Sequence, residues 1–488
     1  MNQLFARKTV AQCISDGEVG GGLKRSLGPV ALTALGIGAI IGAGIFAAIG
    51  SAIAGDTGHL GAGPAIVISI LLAGLTSAFA AITYSEFAAM IPISGSAYTY
   101  AYATLGELIA WIIGWDLILE YAVGNIAVAI GWAGYFDSFM RGLGINMPRW
   151  LVTDLRTALA DHALVAAAPH LGPIPIIFNL PALAIVALVT VVLVIGVQES
   201  SWVNTVMVVI KLLVIGLFLV VGIKGIHPQL WHAPTFAPNG MAGISVGAAI
   251  IFFSYIGFDA VSTASEEAKN PQRDIPIGII ASLIICTVLY VAIGLVLTGL
   301  IPWQQLNVPD PLAVALQYIH ADWASMILAA GAVAAMTSVL IAFQLGQPRI
   351  FMSMARDGLL PPWAAKLHPK YRTPHITTII TGVFVGVSAA FAPIGWVLEL
   401  TNIGTLFAFV LVALGIIILR KIEPDRPRPF RTPWVPVLPI LSIGFCIYLM
   451  IQLPGLTWLR FGLWMVIGAV IYFMYGVRHS RVRQRAAS

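Results

Sequence analysis

The chain has 488 residues, of which 59% are hydrophobic and only 10% are charged, and its mean hydropathy is +0.92. A soluble protein of this length exposes far more charge, so the composition excludes that class and predicts an all-α polytopic membrane protein. Its three cysteines have no disulfide or metal-binding spacing, and its histidines form no ligand pair such as His-Glu-x-x-His. We therefore expect no metal site, no cofactor and no enzymatic activity.

Twelve apolar segments follow in chain order, each matching the roughly 20 residues that cross a bilayer. Segment 1 carries no charge from Ser26 to Gly55 and is too long for the apolar region of a signal peptide. Several segments exceed the minimal length, which predicts tilted helices. The predicted starts of segments 1 to 12 are Pro29, Pro64, Gly106, Leu180, Val203, Met241, Ile277, Trp323, Pro374, Trp396, Val435 and Trp458.

The distribution of lysine and arginine predicts the orientation of these segments. With a cytoplasmic N-terminus, twenty of the 26 basic residues fall on the cytoplasmic side. The external loops then hold Arg141, Arg149, Arg156, Lys224 and Arg460. We therefore expect both termini in the cytoplasm. The net charge of +5 then reflects this topology and contact with anionic lipids, not nucleic-acid binding.

Segment 1 contains the stretch Gly36–Phe46, GIGAIIGAGIF, in which four glycines stand where better helix formers are expected. Each interior glycine costs roughly 0.5–1 kcal/mol relative to alanine. A dinucleotide-binding loop is excluded, because Ile41 occupies the third glycine position and no βαβ pattern surrounds it. Two interpretations remain: close helix packing through Gly38 and Gly42, or a broken helix whose backbone lines a cavity.

Segment 3 places two carboxylates within its apolar span. Glu120 lies deep in the stretch WDLILEY, and Asp116 precedes it by one helical turn. Charged side chains inside a membrane are expensive and are functional by default. Glu120 either pairs with a neighbouring helix or faces a bound ligand, and Asp116 either lies nearer the interface or forms a structural pair.

Segment 5 carries a single cation, Lys211, in the stretch VMVVIKLLVIGLF. A lysine near a helix end can extend its ammonium group to the membrane interface. Lys211 lies eight residues after the predicted start at Val203 and precedes a long apolar run, which favours a position near mid-depth.

Segment 6 is interrupted in the stretch Ile251–Glu267, IFFSYIGFDAVSTASEE, which places Ser254, Gly257 and Asp259 at mid-membrane. An ionised aspartate at that depth costs at least ~2.5–3.5 kcal/mol on insertion scales. Interrupted helices at matching positions of two repeats indicate the midplane site of a transporter, so segment 6 favours the broken-helix interpretation of segment 1. Asp259 either caps the second half of its helix or interacts with substrate or proton.

Four stretches carry a resemblance to a known family: GIGAIIGAGIF, PISGSAYTYAYATLGELIAWIIGWDLILEY, FFSYIGFDAVSTASEEAKNPQRDIPIGI and RDGLLPPWAAKLHPKYRTP. In this order they resemble the amino acid–polyamine–organocation (APC) superfamily of permeases, and most closely the bacterial twelve-helix form of its cationic amino acid transporter family. The likeness covers the chain except for residues 1–22, 141–178 and the tail. It implies a LeuT-type fold with two inverted five-helix repeats and broken helices 1 and 6.

The resemblance also implies a division of the chain into five parts. These are a cytoplasmic N-terminal segment (1–28), a first five-helix repeat (29–225), a second five-helix repeat (226–420), helices 11 and 12 (421–476) and a cytoplasmic basic tail (477–488).

The same resemblance implies an amino acid site at the two breaks. A break around Ile41–Gly44 frees amide groups at the start of a half-helix, whose dipole suits a substrate carboxylate. The amides of Ala43 and Gly44 then bind the carboxylate, and the missing Cβ atoms of Gly42 and Gly44 leave room for it. Many relatives have Ser or Thr where this chain has Ala43. The carbonyls that receive the α-ammonium are those of Ile40, Phe253, Ser254 and Ile256, and the full set adds Ile41, Ile45, Glu120, Asp259 and Phe343.

Two further roles follow from the resemblance. Glu120 would face the substrate side chain and favour lysine, arginine or ornithine, whereas Phe343 of segment 8 would either restrict long cationic side chains or simply pack between helices. Lys211 would reach towards segments 1 and 8, where its ammonium group takes the place of the sodium ion of Na⁺-coupled relatives. Burial disfavours a charged ammonium group, which suits Lys211 to lose and regain a proton.

These features predict a proton-coupled, sodium-independent permease of the cytoplasmic membrane that moves one L-amino acid, neutral or cationic, by alternating access. Its expected partners are the amino acid, the proton and membrane lipids, and not nucleic acid. An amino acid/polyamine exchanger is the alternative among transporters. A channel or a receptor is the alternative from another class.

Overall fold

The computed structural model describes residues 6–8, 27–56, 58–91, 96–196, 201–232, 235–264 and 267–482. Most of the predicted N-terminal segment 1–28, and residues 483–488 of the predicted tail, lie outside this range. Helices dominate because a chain in lipid satisfies its backbone hydrogen bonds within each segment. In chain order they are α1 (Pro29–Ile40), α2 (Ile49–Ala54), α3 (Ile66–Met90), α4 (Ser96–Thr104), α5 (Glu107–Gly142), α6 (Leu155–Leu159), α7 (His162–Ala167), α8 (Leu180–Ile195), α9 (Ser201–Ile223), α10 (Gly240–Ile251), α11 (Ala260–Thr263), α12 (Pro271–Leu300), α13 (Pro311–Tyr318), α14 (Asp322–Arg356), α15 (His375–Phe391), α16 (Ile394–Ile422), α17 (Val437–Ile451), α18 (Gly455–Ile471) and α19 (Val477–His479).

The predicted apolar segments all coincide with helices. Within the described ranges, eight helices are long and apolar enough to cross a membrane, or nine if α1 and Gly44–Ala54 form one bent span. Three further apolar helices, α8, α15 and α17, have only 16, 17 and 15 residues. The largest difference in a start is in segment 7, which begins at Pro271 and not at Ile277. The protein is thus a multi-span helical membrane protein, and the count of twelve crossings stays a prediction.

The long helices pack in two groups. One contains α1, α3, α10 and α12, which come from segments 1, 2, 6 and 7. The other contains α5, α8, α14 and α15, which come from segments 3, 4, 8 and 9. Helix α9 of segment 5 packs against α1 and against α14, so it lies where the two groups meet. Corresponding helices of the two predicted repeats therefore share a group, while the repeats and their boundaries stay predictions.

The predicted loop at 141–178 contains short elements of its own. Helices α6 and α7 begin after Asp154 and Asp161, whose carboxylates accept hydrogen bonds from the first-turn amides, as capping residues do. Strands β1 (His170–Leu171) and β2 (Ile174–Pro175) pair in antiparallel fashion. A small apolar cluster under these elements includes Leu164. Sequence analysis missed them because elements of two to six residues carry no hydrophobic period.

Candidate functional site

Segment 1 is broken at residues 41–43. Helix α1 ends at Ile40, and Ile41 leaves the helix with an extended backbone (φ −74°, ψ 101°). The chain becomes helical again in the π-helical turn Gly44–Ala48, which leads into α2. The two halves are bent by 41°. The predicted interruption of this segment is confirmed.

The amides at the start of the second half are left without acceptors. The backbone N–H groups of Gly42, Ala43, Gly44 and Ile45 donate no hydrogen bond to any other described group. The first turn of every helix has such donors, but here the residues are buried, and buried donors are costly unless a ligand or water accepts from them. The half-helix therefore presents an anion-binding end inside the protein.

Segment 6 is broken at the same level of the fold. Helix α10 ends at Ile251 and continues as a 3₁₀ turn, Phe252–Tyr255, after which Ile256 is extended (ψ 135°). Gly257 then takes a φ of +115°, a conformation that favours glycine. A Cβ atom at Gly257 would lie 2.7 Å from the carbonyl oxygen of Ala39 in α1. Only glycine fits at position 257, and because it has no side chain the two breaks can lie close together.

Gly44 and Ser254 make the closest contact between the breaks. A Cβ atom at Gly44 would lie 2.3 Å from the Cα atom of Ser254 and 2.7 Å from its Oγ atom. A Cβ atom at Gly42 would point instead at Val339 of α14, 3.1 Å from its Cγ2 atom. The expectation that these glycines mainly leave room for a substrate needs correction, because both Cβ directions are filled by neighbouring helices. Gly44 is needed for packing, and that packing holds the free amides beside segment 6.

The carbonyl groups around the breaks are only partly used by the protein. The Phe253 carbonyl accepts from the amide of Ile256 at 3.3 Å. The hydroxyl of Tyr290 in α12 lies 3.0 Å from the carbonyl oxygen of Ile40 and 2.9 Å from that of Ser254. Tyr290 thereby links the two breaks. Sequence reasoning missed it, although a lone tyrosine in an apolar span is a usable signal, because its buried hydroxyl requires a partner.

A second residue that sequence reasoning missed supports the break of segment 6 from α16. The side-chain amide of Asn402 donates to the carbonyls of Ala249 (2.7 Å) and Ile250 (3.0 Å). These carbonyls belong to the last turn of α10, where the regular helical hydrogen bonding ends. Asn402 is completely buried, so it fixes the point at which α10 ends.

Lys211 lies on α9, at the boundary between the two helix groups. Its side chain is only 1% exposed, and its ammonium group donates to the carbonyl oxygen of Gly38 in α1 at 2.6 Å. The thiol of Cys286 in α12 is also within electrostatic range of this ammonium group. Lys211 thus reaches segment 1 three residues before its break.

The carboxylates of Glu120 and Asp259 face the same interior region. Both are buried, and they are close enough to interact electrostatically with each other. In the part of the chain that the structure describes, no basic side chain pairs with Glu120, and Thr405 of α16 lies beside it. Asp259 lies near the amides of Gly257 and Ala260, but its side chain makes no capping hydrogen bond to the helix that follows.

Asp116 is buried one turn before Glu120. Both of its carboxylate oxygens lack a hydrogen-bond partner among the described groups. A Cβ atom at Gly404 of α16 would lie 2.8 Å from Asp116 Oδ1, so this carboxylate points at α16. The structural pair that was one expectation for Asp116 is not observed among the described groups, and a position nearer the interface stays a prediction.

Phe343 of α14 lies against α5. Its ring packs edge-on against Tyr121, with 5.5 Å between ring centroids, and Tyr121 follows Glu120 directly. A Cβ atom at Gly124 would lie 3.7 Å from Phe343 Cζ and 3.7 Å from Thr401 Cγ2 of α16. Phe343 is therefore a partly buried aromatic side chain near Glu120, and this position is compatible with packing as well as with a pocket wall.

Comparison with known sequences adds an independent line of evidence. The chain is 45% identical over 482 residues to the branched-chain amino acid permease BcaP of Bacillus subtilis, with 99% of each chain covered. It is 44% identical over 480 residues to the methylthioribose transporter of the same organism, covering 98% of this chain and 99% of that protein. It is 37% identical over 407 residues to the vacuolar cationic amino acid transporter 4 of Arabidopsis thaliana, covering 83% of this chain and 64% of that one.

A family profile gives the same assignment. The profile described as amino acid permease matches residues 27–475, which includes both breaks, Lys211 and all the predicted substrate-binding residues. Together with two relatives aligned over almost their full lengths, this match identifies the chain as a member of the amino acid permease family, within the APC superfamily.

Proposed function

We propose that the protein is a proton-coupled, sodium-independent secondary transporter of L-amino acids, and not an enzyme. The observation that carries this proposal is the contact of two broken helices through Gly44 and Ser254, which gathers free amides and partly used carbonyls in a buried place. An α-amino acid carries a carboxylate for such amides and an ammonium group for such carbonyls. Two helices in lipid gain no stability from such interruptions of their backbone hydrogen bonding unless a ligand binds the freed groups.

The substrate backbone binds between the two breaks. The amides of Ala43 and Gly44 receive the carboxylate, flanked by Ile41 and Ile45. The carbonyls of Ile40, Phe253, Ser254 and Ile256 receive the α-ammonium group. Tyr290 holds two of these carbonyls in place, since its hydroxyl lies within 3.0 Å of both Ile40 and Ser254.

Lys211 couples transport to the proton. Its protonated ammonium group holds the Gly38 carbonyl and stabilises segment 1 close to its break. Loss of the proton removes one donor and the charge, so the link between α9 and α1 weakens. Because α9 packs against both helix groups, that change is transmitted to the contact that must open and close.

Glu120 and Phe343 set the preference for the substrate side chain. Glu120 has no basic partner among the described side chains, which leaves its carboxylate available to a cationic or polar substrate group. Phe343 limits the length of that group from α14. A relative named for branched-chain amino acids and others named for cationic amino acids both fit a pocket with these two opposing walls.

The burial of the site supports alternating access. Ile40, Ala43 and Gly44 of segment 1 and Ser254 and Ile256 of segment 6 are all shielded from solvent. A substrate therefore reaches or leaves them only when helices move. We further propose twelve crossings with both termini in the cytoplasm of the cell, the arrangement in which most basic residues face inwards.

Two alternatives remain within transport. An amino acid/polyamine exchanger would use the same site without net proton movement. A relative at 44% identity is named for methylthioribose, and a thio-sugar offers neither a carboxylate to the free amides nor an ammonium group to the carbonyls. The amides of Ala43 and Gly44 therefore favour an amino acid.

A channel or receptor would not need a buried site between two broken helices.

Uptake by purified protein in liposomes tests the proposal. An inward proton gradient should drive accumulation of a labelled branched-chain amino acid without sodium, and unlabelled internal substrate should accelerate entry of the label. A panel of leucine, alanine, arginine, putrescine and methylthioribose as competitors then ranks the substrate classes. Strict dependence on sodium would overturn the coupling, non-saturable flux would favour a channel, and displacement by methylthioribose alone would overturn the amino acid assignment.

A further inference from the structure

A groove runs along the outer face of α12 at the end where that helix begins. The groove has a volume of about 580 Å³, within the range of ligand sites. One wall consists of successive turns of α12, namely Arg273, Ile277, Ile280 and Ile284. The other wall consists of Pro429 and Phe430, in the connection between α16 and α17. Apart from its polar end at Arg273, the groove is lined mainly by apolar side chains.

The length of the groove matches one leaflet of a bilayer. Ile284 lies eleven positions after Arg273, which corresponds to about 16 Å along a helix at 1.5 Å per residue. Half of the hydrocarbon core of a bilayer is about 15 Å. Ile277 and Ile284 are exposed on this face, so the apolar part of the groove opens to lipid. A phosphate bound at Arg273 would therefore place an acyl chain along the isoleucines.

The loop wall is held in place by a buried ion pair. Glu86 of α3 is fully buried and lies 2.7 Å from the guanidinium group of Arg420 and 3.3 Å from that of Arg428. It also accepts the backbone amide of Thr432 at 2.7 Å. These contacts anchor the connection on both sides of Phe430. The groove is therefore a formed feature and not a gap beside a loose loop.

The charge at the end of the groove remains available. Arg420 and Arg428 both pair with Glu86, and Arg426 pairs with Glu423 at 2.5 Å. By contrast, no carboxylate within the described ranges lies within 4 Å of Arg273 or Arg431. Trp434 follows in the same connection with 80% of its surface exposed, as expected for an aromatic side chain at the membrane interface.

We propose that this groove is a binding site for one anionic glycerophospholipid, whose phosphate binds Arg273 and whose acyl chain lies along Ile277, Ile280 and Ile284. The proposal does not depend on the transported substrate. The opposite face of α12 contacts α1, because a Cβ atom at Gly278 would lie 2.9 Å from the Cβ atom of Leu32. A lipid bound here therefore links the connection between α16 and α17 to α12, the helix that packs against α1.

Native mass spectrometry and thermal unfolding test this site, with phosphatidylglycerol compared against phosphatidylcholine. Phosphatidylglycerol should bind the purified protein more tightly and raise its unfolding temperature further. Arg273→Gln should weaken binding of phosphatidylglycerol by about tenfold, the effect of losing one charge-assisted hydrogen bond. Lys366→Gln, an exposed cation elsewhere in the chain, is the matched control and should leave binding unchanged. Ala281→Phe should abolish it by filling the groove.

A photoactivatable phosphatidylglycerol on wild-type protein gives a readout that does not depend on the folding of any variant. Labelling should be found in the peptide that carries residues 273–284. Equal binding of the two lipids, equal effects of Arg273→Gln and Lys366→Gln, or labelling elsewhere would overturn the proposal. Competition by glycerol phosphate as strong as that by the lipid would also overturn it, because the groove would then bind phosphate without the acyl chain.

Discussion

The imidazole Nδ1 of His59 lies 2.9 Å from the Oδ1 atom of Asp56, just beyond the second half of segment 1. His59 Nε2 lies 3.3 Å from Ser51 Oγ of α2, and His59 Nδ1 lies 4.0 Å from Glu399 Oε1 of α16. Burial by itself would lower the pKa of His59, but the hydrogen bond and charge of Asp56, with the charge of Glu399, raise it above 6.5. Burial likewise acts against the charged form of Asp56, yet His59 and the nearby amides lower the pKa of Asp56 below 3.8.

This pair predicts a stability that depends on pH. A histidine whose pKa is raised by folding contributes stability that is fully present below its pKa in the unfolded protein. That contribution is lost as the pH rises through its pKa in the folded protein. A lowered aspartate pKa contributes stability that is lost only as the pH falls through its folded value. The pair should therefore stabilise the protein most between pH 4 and 6.5, and less above that. His59→Gln should flatten the decline in unfolding temperature above pH 6.5, whereas the exposed control His162→Gln should not. An unchanged profile in His59→Gln would contradict the assignment.

Gly44→Ala tests the contact between the two broken helices. The new Cβ atom would meet the backbone of Ser254, which cannot rotate away, and such overpacking destabilises by about 1–3 kcal/mol. We expect a lower unfolding temperature together with loss of amino acid binding. Gly216→Ala in α9 is the control, because a Cβ atom there meets nothing within 4 Å. Normal binding in a stable Gly44→Ala protein would show that the breaks need not touch.

Tyr290→Phe tests the support of the substrate carbonyls. Removal of the hydroxyl leaves the carbonyls of Ile40 and Ser254 without this donor, and a neutral hydrogen bond contributes about 0.5–1.5 kcal/mol. The KM for the amino acid should rise roughly two- to tenfold, with a smaller change in kcat. Tyr318→Phe, at an exposed position, should leave both constants unchanged. A pure loss of stability with normal KM would assign Tyr290 to packing alone.

Lys211→Ala tests proton coupling. The substitution removes the ammonium group beside Gly38, so accumulation driven by an inward proton gradient should be lost. Lys224→Ala, at an exposed position beyond α9, should accumulate substrate normally. Measurement of uptake against an imposed pH gradient in liposomes decides between these outcomes, and full proton-driven accumulation by Lys211→Ala would contradict the proposed role.

A double-mutant cycle tests whether Glu120 and Phe343 share the side-chain pocket. Phe343→Ser should widen the pocket and raise affinity for arginine relative to alanine. Glu120→Gln in that background should cancel much of the gain, because a charge-assisted hydrogen bond contributes roughly 1.5–3 kcal/mol, or about tenfold or more. Competition of labelled alanine by arginine across the four proteins measures the coupling. Additive effects would place the two residues in separate environments.

The sequence by itself determined the class of the protein, the positions of its helices and the two interruptions. Hydropathy and glycine content are local properties, so the break after Ile40 and the unwinding around Ser254 and Gly257 could be predicted without a fold. The burial of Lys211 was also predictable, because a lone lysine far from either end of an apolar run has few alternatives to an interior position.

Only the tertiary structure decided which groups meet. Gly44 packs on Ser254, Tyr290 joins Ile40 to segment 6, and Asn402 ends α10. These contacts join residues more than a hundred positions apart, on helices whose faces the apolar pattern does not distinguish. In lipid nearly every helix face is apolar, so hydropathy cannot say which face turns inwards. Packing of small residues and pairing of the freed backbone groups make that choice.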